Sequence, residues 1–216
     1  KEHLDKYIPS TNIKALFKHL KIPLKIIALT KQTSSVSETI YKGLVAAKVK
    51  GDFFIKDCDN VFEYDYKAGN TVAVVDLHDL GMIDAKNKSY VQVDSLGIVQ
   101  NIIEKSVISN LLCCGGYGFN DTKDYKKHFL KLKNTDSEIY VSHIIYSMLL
   151  DGEVFNVKKA KGYEDYGTSK EYFDHMNSYM TIFCDVDGVL LINGSKFTKA
   201  KWKTEGIVMV SLLTGP

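Results

Sequence analysis

Short apolar runs alternate along this chain with segments whose apolar residues recur at helical spacing, and that alternation limits the folds open to it. Ile13, Leu16, Phe17 and Leu20 predict a helix over Asn12–Leu20, and Leu24–Leu29 reads as a short buried strand. Ser35-x-x-Glu38 is a capping box ahead of a helix over Val36–Val49. Asp52–Ile55 is a strand running into Asp57, and Thr71–Leu77 is a Val-rich strand. Tyr90–Val93 and Gly97–Glu104 form a hairpin about the turn Asp94–Gly97. Leu111–Phe119 is a strand broken by Gly115 and Gly116. Helices follow over Asp121–Leu132 and Val141–Leu150, then a strand over Val154–Val157 and a polar helix over Thr168–Asn177. Thr181–Asp185 and Ile207–Leu213 are strand-like. The pattern implies an α/β protein: a mixed, mostly parallel sheet flanked by helices, the hairpin supplying the mixture.

Composition narrows the class. Of 216 residues, 45% are hydrophobic and 25% charged, which is ordinary globular usage and excludes disordered, collagenous and coiled-coil chains. No apolar run approaches the ~18–20 residues that span a bilayer, so no membrane insertion is expected. No basic stretch followed by an apolar segment marks a signal peptide, so a cytoplasmic location is expected. The first residue is Lys1, so the visible start is not expected to be the start of the gene product. All 28 basic residues are Lys. They are interleaved with acids and form no basic block, which argues against nucleic acid as a partner. Cys58, Cys113, Cys114 and Cys184 include no CxxC pair and read as reduced thiols. The six histidines show no metal-ligand spacing.

Two acidic motifs carry chemistry. Lys56-Asp57-Cys58-Asp59-Asn60 stands at the carboxyl end of a strand, where open α/β sheets bind ligands. Carboxylates at i and i+2 there are oxygen ligands suited to Mg²⁺ or Mn²⁺, though strand-end acids also serve as plain loop caps. Lys161-Gly162-Tyr163-Glu164-Asp165-Tyr166-Gly167-Thr168 holds two acids between glycines before a helix. Alone it reads as a tight turn with a Thr N-cap.

In this order the motifs resemble the sugar-1-phosphate nucleotidyltransferases, also called nucleotide-sugar pyrophosphorylases. Asp59-Asn60 looks like the family's metal-binding Gly-Asp-Asn strand end, and Ile102-Ile103-Glu104-Lys105 like its sugar-holding Glu-Lys motif. Cys114-Gly115-Gly116-Tyr117-Gly118-Phe119 is similar to a Gly-rich family strand. Tyr163-Glu164-Asp165-Tyr166-Gly167-Thr168 is similar to the motif whose Asp is the second metal ligand, with Tyr in place of Trp. Ser37-Glu38-Thr39 resembles the segment before the metal strand. The likeness covers about Leu24 to Thr168. It implies a Rossmann-like sheet of the nucleotide-diphospho-sugar transferase type. It also implies a nucleoside triphosphate and a sugar phosphate as substrates. Asp59 and Asp165 would hold Mg²⁺ or Mn²⁺, and Asp57 either joins them or supports them. Glu104 and Lys105 would hold the sugar phosphate, and Gly115 would allow its close approach. The family's Gly-rich triphosphate loop has no counterpart before Leu24, so a first strand–loop–helix is expected upstream of Lys1.

Ile182-Phe183-Cys184-Asp185-Val186-Asp187-Gly188 resembles the first motif of haloacid-dehalogenase-type phosphatases. The resemblance makes Asp185 the nucleophile, Asp187 the general acid/base, and both of them Mg²⁺ ligands. Ser211-Leu212-Leu213-Thr214 resembles the second motif, with Thr214 on phosphate. The expected organisation is a nucleotidyltransferase-like domain over 1–177 and the beginning of a HAD-like α/β domain over 178–216. Residues are expected to be missing near Glu205–Gly206, and the domain is expected to continue past Pro216. The expected role is precursor synthesis for surface polysaccharide. Two rivals stay open: a metal-dependent glycosyltransferase using Asp57-Cys58-Asp59 as a D-x-D motif, and a catalytically dead sugar- or nucleotide-binding module.

Overall fold

The computed structural model describes residues 23–80, 85–134 and 138–178, together with 15, 17 and 18. The chain divides into two compact units, Lys1–Glu164 and Asp165–Pro216, so the helix after Thr168 falls in the second unit. The expected helix over Asn12–Leu20 lies almost wholly outside the described residues, as do the expected strands Thr181–Asp185 and Ile207–Leu213.

The capping box starts the first helix where expected. Ser35 is the N-cap of α1 (Val36–Ala47), and its side chain accepts from the Glu38 backbone N–H at 3.2 Å. The Glu38 carboxylate reaches back one residue further than a standard box, to the Ser34 N–H at 2.6 Å. Residues 23–29 form no strand. Their apolar content suits a pleated, half-buried surface but does not by itself supply a ladder partner.

The strands that follow are β1 (Phe53–Lys56), β2 (Asn60–Glu63), β3 (Thr71–Asp76), β4 (Ser89–Val93), β5 (Val99–Glu104) and β6 (Leu111–Phe119). Then come α2 (Thr122–Leu132), α3 (Val141–Leu150), β7 (Asn156–Lys159) and β8 (Lys161–Asp165). The second unit contributes α4 (Ser169–Ser178). The main sheet has the order β5-β4-β6-β3-β7. β3 takes one edge of β6, while β1 and β4 follow one another along the other.

The mixed α/β sheet with helices is as expected, with a different balance of neighbours. β1, β3, β4 and β7 run one way and β5 and β6 the other, so of the described pairs in this sheet only β3·β7 is parallel. Parallel neighbours need a long crossover, and between β3 and β7 the helices α2 and α3 lie on that path. The run Lys161–Asp165, read from sequence as a turn, is instead a strand, and β2 and β8 form a separate two-stranded ribbon.

Both faces of the main sheet are covered. β3 is buried over Thr71–Val75, and its residues alternate between two cores as the period of two requires. Val72 and Val74 join Leu44, Tyr125, Phe129, Ile144 and Ile145 from the helices. Ala73 and Val75 join Tyr90, Leu112 and Cys114 on the opposite face. Cys113 and Cys114 are free, buried thiols, one on each face. Cys58 is free and exposed, and Cys184 lies outside the described residues. No described helix is long and apolar enough to cross a membrane.

One irregularity organises the sheet. Val72 pairs with Tyr117 and Val74 with Cys113, so a single β3 residue faces three of β6, Cys114–Gly116. Two extra residues leave the side-chain parity intact, and Cys113 and Tyr117 share a core across the bulge. Gly115 takes the left-handed conformation that the bulge needs, at φ 76°. Gly116 is there for space. A Cβ on it would stand 2.7 Å from the Phe62 ring and 2.9 Å from both the Ala73 Cβ and the Phe54 ring. The β6 backbone is thus the floor for an aromatic strip in which Phe54 stacks on Tyr64 with centroids 5.2 Å apart. Gly116→Ala is expected to lower unfolding free energy by about 1–3 kcal/mol through overpacking, measured by urea denaturation, with no change in far-ultraviolet circular dichroism.

Candidate functional site

The bulge lies where β1 ends. Lys56 pairs with Gly116, and the next residue, Asp57, donates its backbone N–H to the Gly115 carbonyl at 2.8 Å. The chain then turns through Cys58 and Asp59 and re-enters a strand at Asn60. A Cβ on Gly115 would overlap the Asp57 carboxylate and come within 2.8 Å of Asn60 Nδ2. The close approach that this glycine permits is therefore that of Asp57 and Asn60.

Lys56 sits inside the turn. Its Nζ donates to the Asp57 carbonyl at 2.6 Å, to the Asn60 carbonyl at 2.9 Å and to Asn60 Oδ1. It also lies 4.6 Å above the centre of the Phe62 ring. Asn60 Nδ2 in turn donates to Asp59 Oδ1 at 3.5 Å. Partial burial lowers the Lys56 pKa, and the charges of Asp57 and Asp59 oppose that shift.

The Asp57 carboxyl is pushed up to about 6. Burial is the main cause, and the Asp59 charge adds to it. Lys56 and Lys88 pull the value down, and Glu104 pushes it up. Asp59 is exposed.

Glu104 ends β5 opposite Ser89 of β4. One of its oxygens, Oε2, accepts from the Ser89 hydroxyl and from the Ser142 hydroxyl at 2.7 Å. Ser142 is the second residue of α3, so the clamp joins the sheet to the first turn of a helix. Lys105 turns the chain in the left-handed region, at φ 54°. Its Nζ donates to Tyr140 Oη at 2.7 Å and lies 4.8 Å over that ring. Tyr140 Oη donates to Glu138 at 2.6 Å. The bond with Tyr140 raises the Lys105 pKa.

The first unit thus brings Asp57, Asp59 and Glu104 into one electrostatic neighbourhood, with Gly115 packed against Asp57. Lys105 is the next residue on the chain after Glu104. Asp165 is the last residue of β8 and the first of the second unit. Its Oδ1 accepts from the Gly167 N–H at 2.9 Å. The Thr N-cap expected there is present: Thr168 Oγ1 accepts from the Glu171 N–H at 3.2 Å, and the Glu171 carboxylate accepts from the Thr168 N–H at 2.9 Å. Asp185, Asp187 and Thr214 lie outside the described residues. Sequence reasoning did not find Ser89, Ser142, Tyr140 or the work done by Lys56. Lys56 carries a sequence signal in its place beside Asp57-x-Asp59. The serines and the tyrosine come from remote segments that only the fold joins to Glu104 and Lys105.

Asp57 gives a direct test of this electrostatics. Unfolded, its carboxyl ionises near 3.8, and folded near 6, so holding it ionised costs stability, increasingly as pH rises through that window. Asp57→Asn is expected to raise the melting temperature of the metal-free protein. The expected gain is about 1–2 kcal/mol above pH 6, short of the ~3 kcal/mol of a fully sequestered charge, and it should vanish below pH 4. A stabilising loss of a conserved-size polar group is the mark of a residue kept for function.

No family model matches the chain, and no curated protein does. Solved structures do. A nucleoside-diphosphate-sugar pyrophosphorylase from Vibrio cholerae RC9 superposes with a TM-score of 0.64 at 18% identity, over 79% of this chain and 78% of the other. A UDP-glucose pyrophosphorylase complexed with UDP-glucose gives 0.58 at 16% identity, over 83% and 76%. The inositol-1-phosphate CTP transferase of T. maritima gives 0.57 at 16% identity, over 74% and 67%. At these identities the likeness is one of fold.

Proposed function

We propose that this chain is a nucleotidyltransferase that joins a nucleotidyl group to a sugar 1-phosphate. The observation that carries the reading is the placing of Asp57 and Asp59 at the carboxyl end of β1, with Glu104 held nearby by two serines. The fold on which they stand is shared with pyrophosphorylases and a CTP transferase. In the reaction a sugar-phosphate oxygen attacks the α-phosphorus of the triphosphate. The bond from that phosphorus to the β-phosphate bridging oxygen breaks, and pyrophosphate leaves. Such transfers run on positioning and charge neutralisation.

The donor set suits Mg²⁺ or Mn²⁺. Among the described residues no three His, Cys, Asp or Glu side chains group as a metal cage. Mg²⁺ needs fewer, since it keeps waters and takes one or two carboxylates besides substrate phosphates. Asp57 and Asp59 would offer it hard oxygens, and Asp165 is the further ligand that the sequence motif suggests. When bound, the ion supplies charge neutralisation at the phosphate oxygens. Glu104, with one oxygen clamped by serines, would accept from sugar hydroxyls through the other. Lys105 would meet the sugar phosphate from the rim. Gly115 supports the site through the Asp57 N–H bond.

The motif about Asp185 and Asp187, with Thr214, adds a proposed HAD-type phosphatase acting on a phosphorylated sugar. The phosphoryl group would pass to the Asp185 carboxylate and then to water, with Asp187 as acid/base. The proposed domains are 1–177 for transfer and 178–216 for the start of the phosphatase. The proposed setting is cytoplasmic synthesis of surface polysaccharide precursors.

The test incubates the full-length protein with a nucleoside triphosphate, a sugar 1-phosphate and Mg²⁺, and follows pyrophosphate. Asp59→Asn and Asp165→Asn are each expected to cut release at least a hundredfold, while phosphate release from a sugar phosphate persists. Asp185→Asn should do the reverse. Transfer of sugar from a nucleotide sugar, without pyrophosphate, would replace this reading with the glycosyltransferase one.

A further inference from the structure

Lys56 stands at the head of the acidic turn, where its charge suggests a ligand for phosphate. Its bonding says otherwise. An ammonium has three N–H donors and no acceptor. Three oxygens take them: the Asp57 carbonyl, the Asn60 carbonyl and Asn60 Oδ1. The Phe62 ring covers a further side at 4.6 Å. No donor is left for a substrate, and every bond is made to the turn that carries the acids.

We infer that Lys56 is a positioning residue: its ammonium is a built-in cation around which the turn Asp57–Asn60 closes, fixing the Asp57 and Asp59 carboxylates for a divalent cation. The inference rests on the metal-assisted reading proposed above. The path to each acid is short. Asp57 is held on one side by its N–H bond to Gly115 and on the other by its carbonyl bond to Lys56. Asp59 is reached through Asn60, whose amide accepts from Lys56 through Oδ1 and donates to the Asp59 carboxylate through Nδ2. Oxygens from both ends of the turn thus converge on one charge, as they would on a bound metal, and neither the Asp57 nor the Asp59 carboxylate is among those three oxygens, so both are left to serve another cation.

The role depends on shape as well as charge, which separates it from simple screening. Arginine keeps the charge, but its donors lie in a planar fork that cannot converge on three clustered oxygens. Lys56→Met removes both. Losing the charge alone should favour a divalent cation, so Lys56→Arg is the informative variant.

The test uses the full chain, with hydrogen–deuterium exchange over residues 57–61 and Mn²⁺ binding by electron paramagnetic resonance. Both variants should keep the parent's melting temperature and exchange about tenfold faster at 57–61, with β3 and α3 unaffected. Lys56→Arg should bind Mn²⁺ about five- to tenfold more weakly than the parent. An Arg variant with the parent's exchange and Mn²⁺ affinity overturns the inference, and so does faster exchange with unchanged Mn²⁺ affinity. Should the variants not fold, the parent decides. A hydrogen-bonded Lys56 ammonium gives a slowly exchanging ¹H–¹⁵N signal, and its absence overturns the inference. A parent that binds no Mn²⁺ overturns the metal-assisted reading itself, whereas a parent that binds it as well as Lys56→Arg does overturns only the role of Lys56.

Discussion

The hydrogen bond from the Asp57 N–H to the Gly115 carbonyl is the point at which sheet and site become one object. It can form only because β6 carries a bulge, and the bulge closes only because Gly115 sits in the left-handed region. The same bulge divides the edge of β6 between β1, which ends there, and β4, which pairs just beyond it. A strand end, a strand start and a loop are thereby gathered at one place in the sheet, and the acids at those ends are gathered with them. Two inserted residues rather than one keep both cores in register, so the site is built without cost to the packing beneath it.

The three carboxylates gathered there are treated differently. Asp57 is half-buried and its ionisation is opposed. Glu104 is ordered by two hydroxyls on one oxygen, and Asp59 remains in solvent. Two of the neighbouring lysines are already engaged, Lys56 within the turn and Lys105 on Tyr140. Negative charge concentrated in this way is unfavourable for a fold by itself. A divalent cation would relieve that repulsion, which is the electrostatic ground for the metal-assisted reading proposed above.

Much of this was legible in the sequence. The Ser35 cap, the hairpin about Asp94–Gly97, the helix Val141–Leu150 and the cap at Thr168 were all set by local chemistry, and local chemistry is what a sequence displays. Partners were not legible. Lys161–Asp165 became a strand because β2 was there to pair with it, whereas 23–29, with stronger apolar character, formed none. The balance of parallel and antiparallel neighbours depended on which connections held helices, a property of the whole path. The acids of the β1 turn were visible as a motif, but the serines that order Glu104 come from segments 15 and 38 residues away in the chain.

Lys56 shows where reading by residue type stops. A lysine beside two aspartates is at once a counter-ion, a phosphate ligand and a loop staple, and composition cannot choose among them. Counting what each donor already touches does choose. When all three N–H groups end on oxygens of the same short turn, the charge has been spent on shape, and any phosphate that binds must be met by other groups. The same count sorts Glu104, where the Ser89 and Ser142 bonds use one oxygen and leave the second able to accept. In a site assembled from common residue types, the valence left over is what separates a residue that holds the substrate from one that holds the site.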